Sequence, residues 1–260
     1  MIFRRFVQRF MQQQWGAIAT ELAIVIIGVF IGLQVSNWNE ERETRQKAAV
    51  FTARLIDDLR KEAWGYEYVI AYNHDINTNQ RRVLDALAGD IPLSDEEFMV
   101  NAYRATQYKY NDRFRATYDE LVSTGSISLI ADQKLRRTAI AVFTNPDLEQ
   151  IAQQTRDSEY RRLFRETVSA PVQAALLAHC GDRYATVLDY SAIKGSLDYP
   201  CALAIPQEKI HAAANALKAL PRLVPALQKR FADTQTALTD LQVANQPVLQ
   251  GLRHIRDTAS

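Results

Sequence analysis

The sequence predicts an all-α protein in which a single N-terminal transmembrane helix is followed by a bundle of long helices, and three observations carry that expectation. Residues 17–36 hold only Thr20, Glu21, Gln34 and Ser36 as polar side chains, a stretch long enough to cross a bilayer. Apolar residues then recur in steps of three and four through most of the remaining chain. No run of alternating residues is long enough to support a sheet. At 260 residues, 47% hydrophobic and 23% charged, the chain can bury a core and is neither disordered nor a polytopic transporter.

The span is placed at 15–38, between a short cytoplasmic tail (1–14) and a helical periplasmic domain (39–260). The 23 steps from Trp15 to Trp38 cover roughly 34 Å at about 1.5 Å per residue, slightly more than a hydrocarbon core of about 30 Å. Both indoles then anchor at the two interfaces. A buried core helix is the bland alternative. A cleaved signal peptide is the other, but no small-x-small pattern precedes the charged run at Glu40, so an uncleaved signal anchor is expected.

Arg4, Arg5 and Arg9 before the span and Arg42, Arg45, Lys47 and Arg54 after it leave the orientation undecided by charge count. The cysteines favour the short tail in the cytoplasm and the main domain on the other side of the membrane. Cys180 and Cys201 are the two cysteines of the chain, 21 positions apart in one irregular stretch, which suits a disulfide in an oxidising compartment. Such a bridge stabilises a fold by roughly 3 kcal/mol in the chain-entropy account. Two unpaired buried cysteines are the alternative.

Glu21, Gly28, Gly32 and Ser36 fall on one small or polar stripe of the span, with Val25 between them. The Gly28/Gly32 pair permits close approach of a second helix, and Glu21 escapes lipid by facing it. The stripe therefore points to self-association or to another inner-membrane protein. A Glu21 that snorkels or stays protonated is the competing explanation.

Beyond the span, Ala48, Phe51, Leu55, Leu59, Ala63, Tyr66, Ile70, Ile76, Val83, Leu84 and Leu87 form the seam of a stalk-like helix. Gly65 and residues 73–79 weaken it, so a break is expected there, and Gly89, Asp90 and Pro92 end it. Ser94 and Glu97 have capping-box spacing and open a helix to about Gln107. Residues 113–122 form another, stopped by Ser123, Thr124 and Gly125. Ile127, Leu129 and Ile130 read as an apolar hook, and Asp132 caps the helix that follows. Asn145 and Pro146 start a helix that runs through Ile151, Tyr160 and Phe164 to Leu177 with a bend near Pro171. Residues 180–205 lack a period and read as an ordered loop. Pro206 opens a helix, and residues 223–255 form a last long one, kinked at Pro247.

Two segments resemble a set of uncharacterised bacterial single-pass membrane proteins built on a domain of unknown function. One is the anchor, with Glu21 before a glycine-bearing apolar run and the Gln34, Asn37, Trp38, Asn39 ending. The other is the block 117–136, with a helix, the turn at Gly125, the Leu129/Ile130 pair and the Asp132 cap. The resemblance implies architecture and a bacterial membrane location and implies no activity. Gly16 followed by Glu21 also resembles pseudopilin precursors, although the Gln-x-x-Asn-Trp-Asn ending does not belong to that pattern.

No catalytic or metal constellation is legible. His74, His179, His211 and His254 are scattered without zinc-helix spacing, and there is no phosphate loop or nucleophile elbow. Arg161, Arg162 and Arg165, like Lys134, Arg136 and Arg137, sit among acids, and a net charge of +1 gives no nucleic-acid field. Tyr103, Tyr108, Tyr110, Phe114 and Tyr118 are dense enough to line a peptide or glycan groove, with core packing the favoured alternative. The expected protein is a non-enzymatic membrane-anchored scaffold, adaptor or sensor without cofactor or metal. Only about fifteen residues precede the span, so no cytoplasmic output domain is expected and any signal passes to a second membrane protein. A pseudopilin-like subunit and an envelope-polymer hydrolase with unidentified acids are the alternatives.

Overall fold

A computed structural model describes residues 15–110 and 112–258, with side chains from Ala19 onward. The chain is 78% helical, with no strand among the described residues. It divides into two units, Met1–Thr52 and Ala53–Ser260. Helix α1, Trp15–Ala88, contributes to both. The tail 1–14 and the Trp15 side chain lie outside the described residues.

The first unit holds one helix long and apolar enough to cross a membrane. None of its apolar window is buried, and Ile24, Phe30, Leu33 and Trp38 stand more than half exposed. A core helix would bury this surface, and contiguous exposed apolar patches of such size mark membrane or partner contacts. Among the described residues nothing lies within 4 Å of where a Cβ would stand on Gly28 or Gly32, so the stripe is open at both glycines.

In the second unit α1 runs without the break expected at Gly65 and 73–79. The polar residues there are satisfied within the helix. Asn73 Nδ2 donates to Val69 O at 2.9 Å, Asn79 Nδ2 to Asp75 O at 2.7 Å and Thr78 Oγ1 to His74 O at 3.0 Å. Around them Leu55, Leu59, Trp64, Tyr68, Tyr72, Ile76 and Val83 are buried, and this packing outweighs a propensity penalty of about 1 kcal/mol at a glycine.

Eleven helices are described in all. After α1 come α2 (Asp95–Arg104), α3 (Ala116–Ser123), α4 (Gln133–Thr144), α5 (Asp147–Arg156), α6 (Glu159–Thr167), α7 (Ala170–Cys180), α8 (Ser191–Leu197), α9 (Gln207–Lys218), α10 (Leu223–Thr239) and α11 (Gln246–Thr258). The capping box at Ser94 and Glu97 forms as expected, and Asp132 accepts from Lys134 N and Leu135 N. Gly125 takes a positive φ of 68°, and the hook after it is a single 3-10 turn, Ile127–Leu129, that leads into fully buried Ile130.

The long helix expected over 146–177 is three helices. Ser158 accepts from Arg161 N and starts α6. Val168 and Ser169 turn extended before Pro171, whose missing N–H is tolerated in the first turn of α7. The last helix is also interrupted. A π turn, Asp240–Ala244, precedes Asn245, so Pro247 lies in the first turn of α11 and breaks nothing. Asn245 holds this joint: its Oδ1 accepts from Asn145 Nδ2 at 2.7 Å, and its Nδ2 donates to Asp147 and to Asp240 O.

One core joins the end of α1 to α2, α6, α7, α9 and α10 through Val83, Phe98, Tyr160, Phe164, Leu176, Ile210, Leu217 and Leu227. Arg230 enters the protein interior at 3% exposure. Its Nη1 donates to Thr234 Oγ1 at 2.7 Å, but Nε and Nη2 have no partner among the described residues, and burial lowers its pKa to about 10. Unmet buried donors cost about 1–3 kcal/mol each. Arg230→Met is therefore expected to stabilise the full chain by about 1–3 kcal/mol in chemical denaturation followed by circular dichroism, and a loss of stability would show that Arg230 supports the fold.

Candidate functional site: an aromatic cleft under a stapled loop

Trp64, Tyr68, Tyr72 and Ile76 follow one another at four-residue steps on α1 and so share a face. The rings of Trp64 and Tyr68 lie 5.1 Å apart and those of Tyr68 and Tyr72 6.2 Å apart. This ladder receives the chain between α7 and α9. Ala185 and Ile193 bury against it. Trp64 Nε1 donates to Asp189 O at 3.1 Å and Tyr72 OH to Asp182 Oδ1 at 2.7 Å.

The loop is closed at its base. Cys180 and Cys201 lie at disulfide distance with Cα atoms 5.4 Å apart. Tyr199 OH donates to Gly181 O across the same closure, and the guanidinium groups of Arg104 and Arg183 lie 4.7 Å and 3.5 Å from the Tyr199 ring centroid. Arg104 Nη2 also donates to Tyr199 O at 2.8 Å, and Leu203 N donates to Glu96 Oε1 at 2.7 Å. Leu188 and Ala204 adopt positive φ angles of 73° and 51°, strain that such a network of fixed contacts sustains. The loop is not wholly irregular, since α8 forms within it.

A second segment, the strap between α2 and α3, borders the ladder where Lys109 lies over the Tyr68 ring. Its anchor is Arg113, 8% exposed at the side chain. Nε donates to Glu62 Oε2 at 2.8 Å, Nη1 to Glu149 Oε1 at 2.6 Å and Nη2 to Val142 O at 2.9 Å. Glu62 Oε1 accepts from Phe114 N at 2.6 Å. Burial pushes the Glu62 pKa up, and the Arg113 charge offsets only part of this.

Between strap and loop opens a cleft of about 220 Å³ walled by Trp64, Tyr66, Tyr68, Phe114, Ala185 and Val187. Tyr110 and Tyr184 flank it, 60% and 87% exposed. Lys109 sits with Nζ 4.8 Å from the Tyr68 ring centroid. Lys61 is 5.6 Å from that of Phe114 and bonds Asp57 at 2.6 Å. The polar tips of Trp64, Tyr66 and Tyr68 are engaged with Asp189 O, Leu241 O and Ser196 Oγ. The exposed rings are those of Tyr110 and Tyr184 at the rim, over a floor of buried rings and beside the ammonium groups of Lys61 and Lys109, a surface suited to an apolar or sugar ring beside a carboxylate.

The structure sorts the aromatic set that the sequence singled out. Tyr103 and Tyr118 are core residues against Phe164 and Phe143, and Tyr108 packs under Arg161. Tyr110 and Phe114 alone of that set line the cleft. The wall residues Trp64 and Tyr68 were not singled out as functional, although their four-residue spacing was readable. Cys180 and Cys201 meet as expected, which leaves no thiol beside His179. Among the described residues no group of three or more His, Cys, Asp or Glu is placed to hold a metal. No family model, curated protein or solved structure matches this chain.

Behind the loop, Asp75 lines a shallower depression of about 500 Å³ with Tyr190, Ile193, Leu197, Asp198 and Arg256. Burial, with Asp198 and Asp182 adding to it against Arg104, raises the Asp75 pKa from 3.8 to about 6. The folded state thus binds a proton that the unfolded chain releases between these two values, and stability from this group falls as pH rises through that window. Asp75→Asn should raise the melting temperature at neutral pH and leave it unchanged below the unfolded pKa; a gain of equal size at both ends would assign the effect to something other than this titration.

Proposed function

We propose that the chain is a non-enzymatic binding module of the bacterial inner membrane, anchored by one span with its N-terminal side in the cytoplasm and its helical domain in the periplasm. The observation that carries the reading is the aromatic cleft, because the exposed rings of Tyr110 and Tyr184 flank it beside Lys61 and Lys109 and form a docking feature that a closed scaffold lacks. The cysteine pair supports an oxidising compartment for the domain. The resemblance of the anchor to bacterial single-pass proteins supports the membrane assignment. The stripe of Glu21, Gly28, Gly32 and Ser36 supplies the second contact, to a like chain or to another inner-membrane protein. The module then works as a scaffold, adaptor or sensor: the cleft takes a segment that offers a ring and a carboxylate, and the span joins it to its membrane partner.

An envelope-polymer hydrolase is the second reading, favoured by one observation: Asp75, with its raised pKa, shares a depression with Asp198. Retention of function by Asp75→Asn would dismiss it.

A photoreactive side chain placed at Tyr184 in the full-length membrane form tests docking in the cleft. The expected result is one discrete adduct that is absent when the probe replaces Lys229, an exposed residue on α10. Lys109→Glu should lower the adduct yield about tenfold through loss of one charge-assisted contact. Equal labelling from both positions, or none from Tyr184, would remove the cleft from the reading.

A further inference from the structure

Asp75 stands on α1 where the loop comes down, and it lines two hollows at once. One is the depression of about 500 Å³ behind the loop, the other a crevice of about 20 Å³ at the loop's base. Leu197 of α8 borders both, so α8 is the element that closes over this half-buried carboxylate. Asp75 Oδ2 accepts from Asn79 Nδ2 at 3.1 Å, a contact within α1 that does nothing to hold the loop.

The charged groups around Asp75 come from four parts of the fold. The loop brings Asp182 into the crevice and Lys194 and Asp198 to the depression. From α2 comes Arg104, whose Nη2 is bonded to Tyr199 O at 2.8 Å. On α1 itself are His74 and Glu67, the latter accepting from Arg253 Nε at 2.6 Å. From α11 comes Arg256, bonded to Asp257 Oδ1 at 2.7 Å. Three carboxylates thus meet where the loop closes, Asp75 from the helix and Asp182 and Asp198 from the loop. Like charges brought together under apolar cover disfavour the ionised form.

We propose that Asp75 is an acid-operated latch: protonated, it lets α8 close over α1, and ionised, it repels Asp182 and Asp198, so that residues 181–200 lift and take Ala185 and Val187 from the aromatic cleft. Burial is the largest cause of the rise in the Asp75 pKa from 3.8 to about 6, and the loop supplies that cover and both acids, so opening returns the carboxyl toward its ordinary value. The closed form binds the proton more tightly; it is favoured in acid and loses that advantage as pH rises from 3.8 through about 6. The latch deepens the docking reading by giving the cleft a regulator. It rests on that reading for its consequence alone, since the motion is measured without a ligand and its failure leaves docking in the cleft untouched.

The test is amide hydrogen exchange of the detergent-solubilised full chain at about pH 5 and about pH 7.5, each rate divided by the intrinsic rate of its amide at that pH. Opening of 181–200 should be about tenfold more frequent at the higher pH, the ratio set by a carboxyl of pKa 3.8 in the open form and about 6 in the closed one. The interiors of α2 and α9 should show no such change. Asp75→Asn, neutral and of the same shape, should remove the dependence and leave the segment protected at both values, whereas His74→Gln should retain it. The proposal is overturned if the parent chain protects 181–200 equally at both values, if α2 and α9 change by the same factor, if Asp75→Asn keeps the ratio, or if His74→Gln loses it.

Discussion

The closure of residues 181–200 onto the aromatic ladder of α1 is the constraint on which the binding surfaces of this protein depend. Each cleft takes a wall from that segment: Tyr184, Ala185 and Val187 for the aromatic cleft, Ile193 and Leu197 for the depression over Asp75. The loop has little regular structure of its own, since α8 is only seven residues long. Its conformation is set by contacts at both ends, with the cysteine pair, the Tyr199 ring beside Arg183 and Glu96 at the base, and Trp64 and Tyr72 along the ladder. A crosslink of this kind acts by removing disordered alternatives, and the ladder supplies the buried ring area that favours the one remaining arrangement.

The interior is unusually polar where α1 meets α10. Gln80, Thr234 and Arg230 are fully or almost fully buried, and Gln80 Oε1 lacks a partner as well as two nitrogens of Arg230. The strap is held by the opposite device, a guanidinium with three good partners at Arg113. The difference is one of accounting for every donor: Arg113 fixes a segment in place, whereas Arg230 lowers the stability of the helix that carries it.

The helical character, the apolar span, the capping box at Ser94, the turn at Gly125 and the cap at Asp132 are local features, and each was legible because its cause lies within a few residues. The unbroken course of α1 past Gly65 was not legible, because it depends on the burial of Tyr68, Tyr72 and Ile76 against chain more than a hundred residues away. The break at Asn245 has the same origin, since Asn145 and Asp147 pair with Asn245 only once α5 and α11 are brought together, whereas Ser158 is a local cap that accepts from Arg161 N. The aromatic cleft was half legible. Tyr110 and Phe114 stood out by density, but composition does not separate them from Tyr103 and Tyr118, which the core absorbs.

Amide hydrogen exchange of the full chain with both cysteines replaced by serine addresses the central claim most directly. If the staple and the ladder together hold the loop, exchange should accelerate across 181–205 and at the neighbouring strap residues 107–115, while the interior of α2, α9 and α10 stays protected as in the parent chain. Unchanged protection in the loop would contradict the account, since the clefts would then owe their walls to something other than the closure at Cys180 and Cys201.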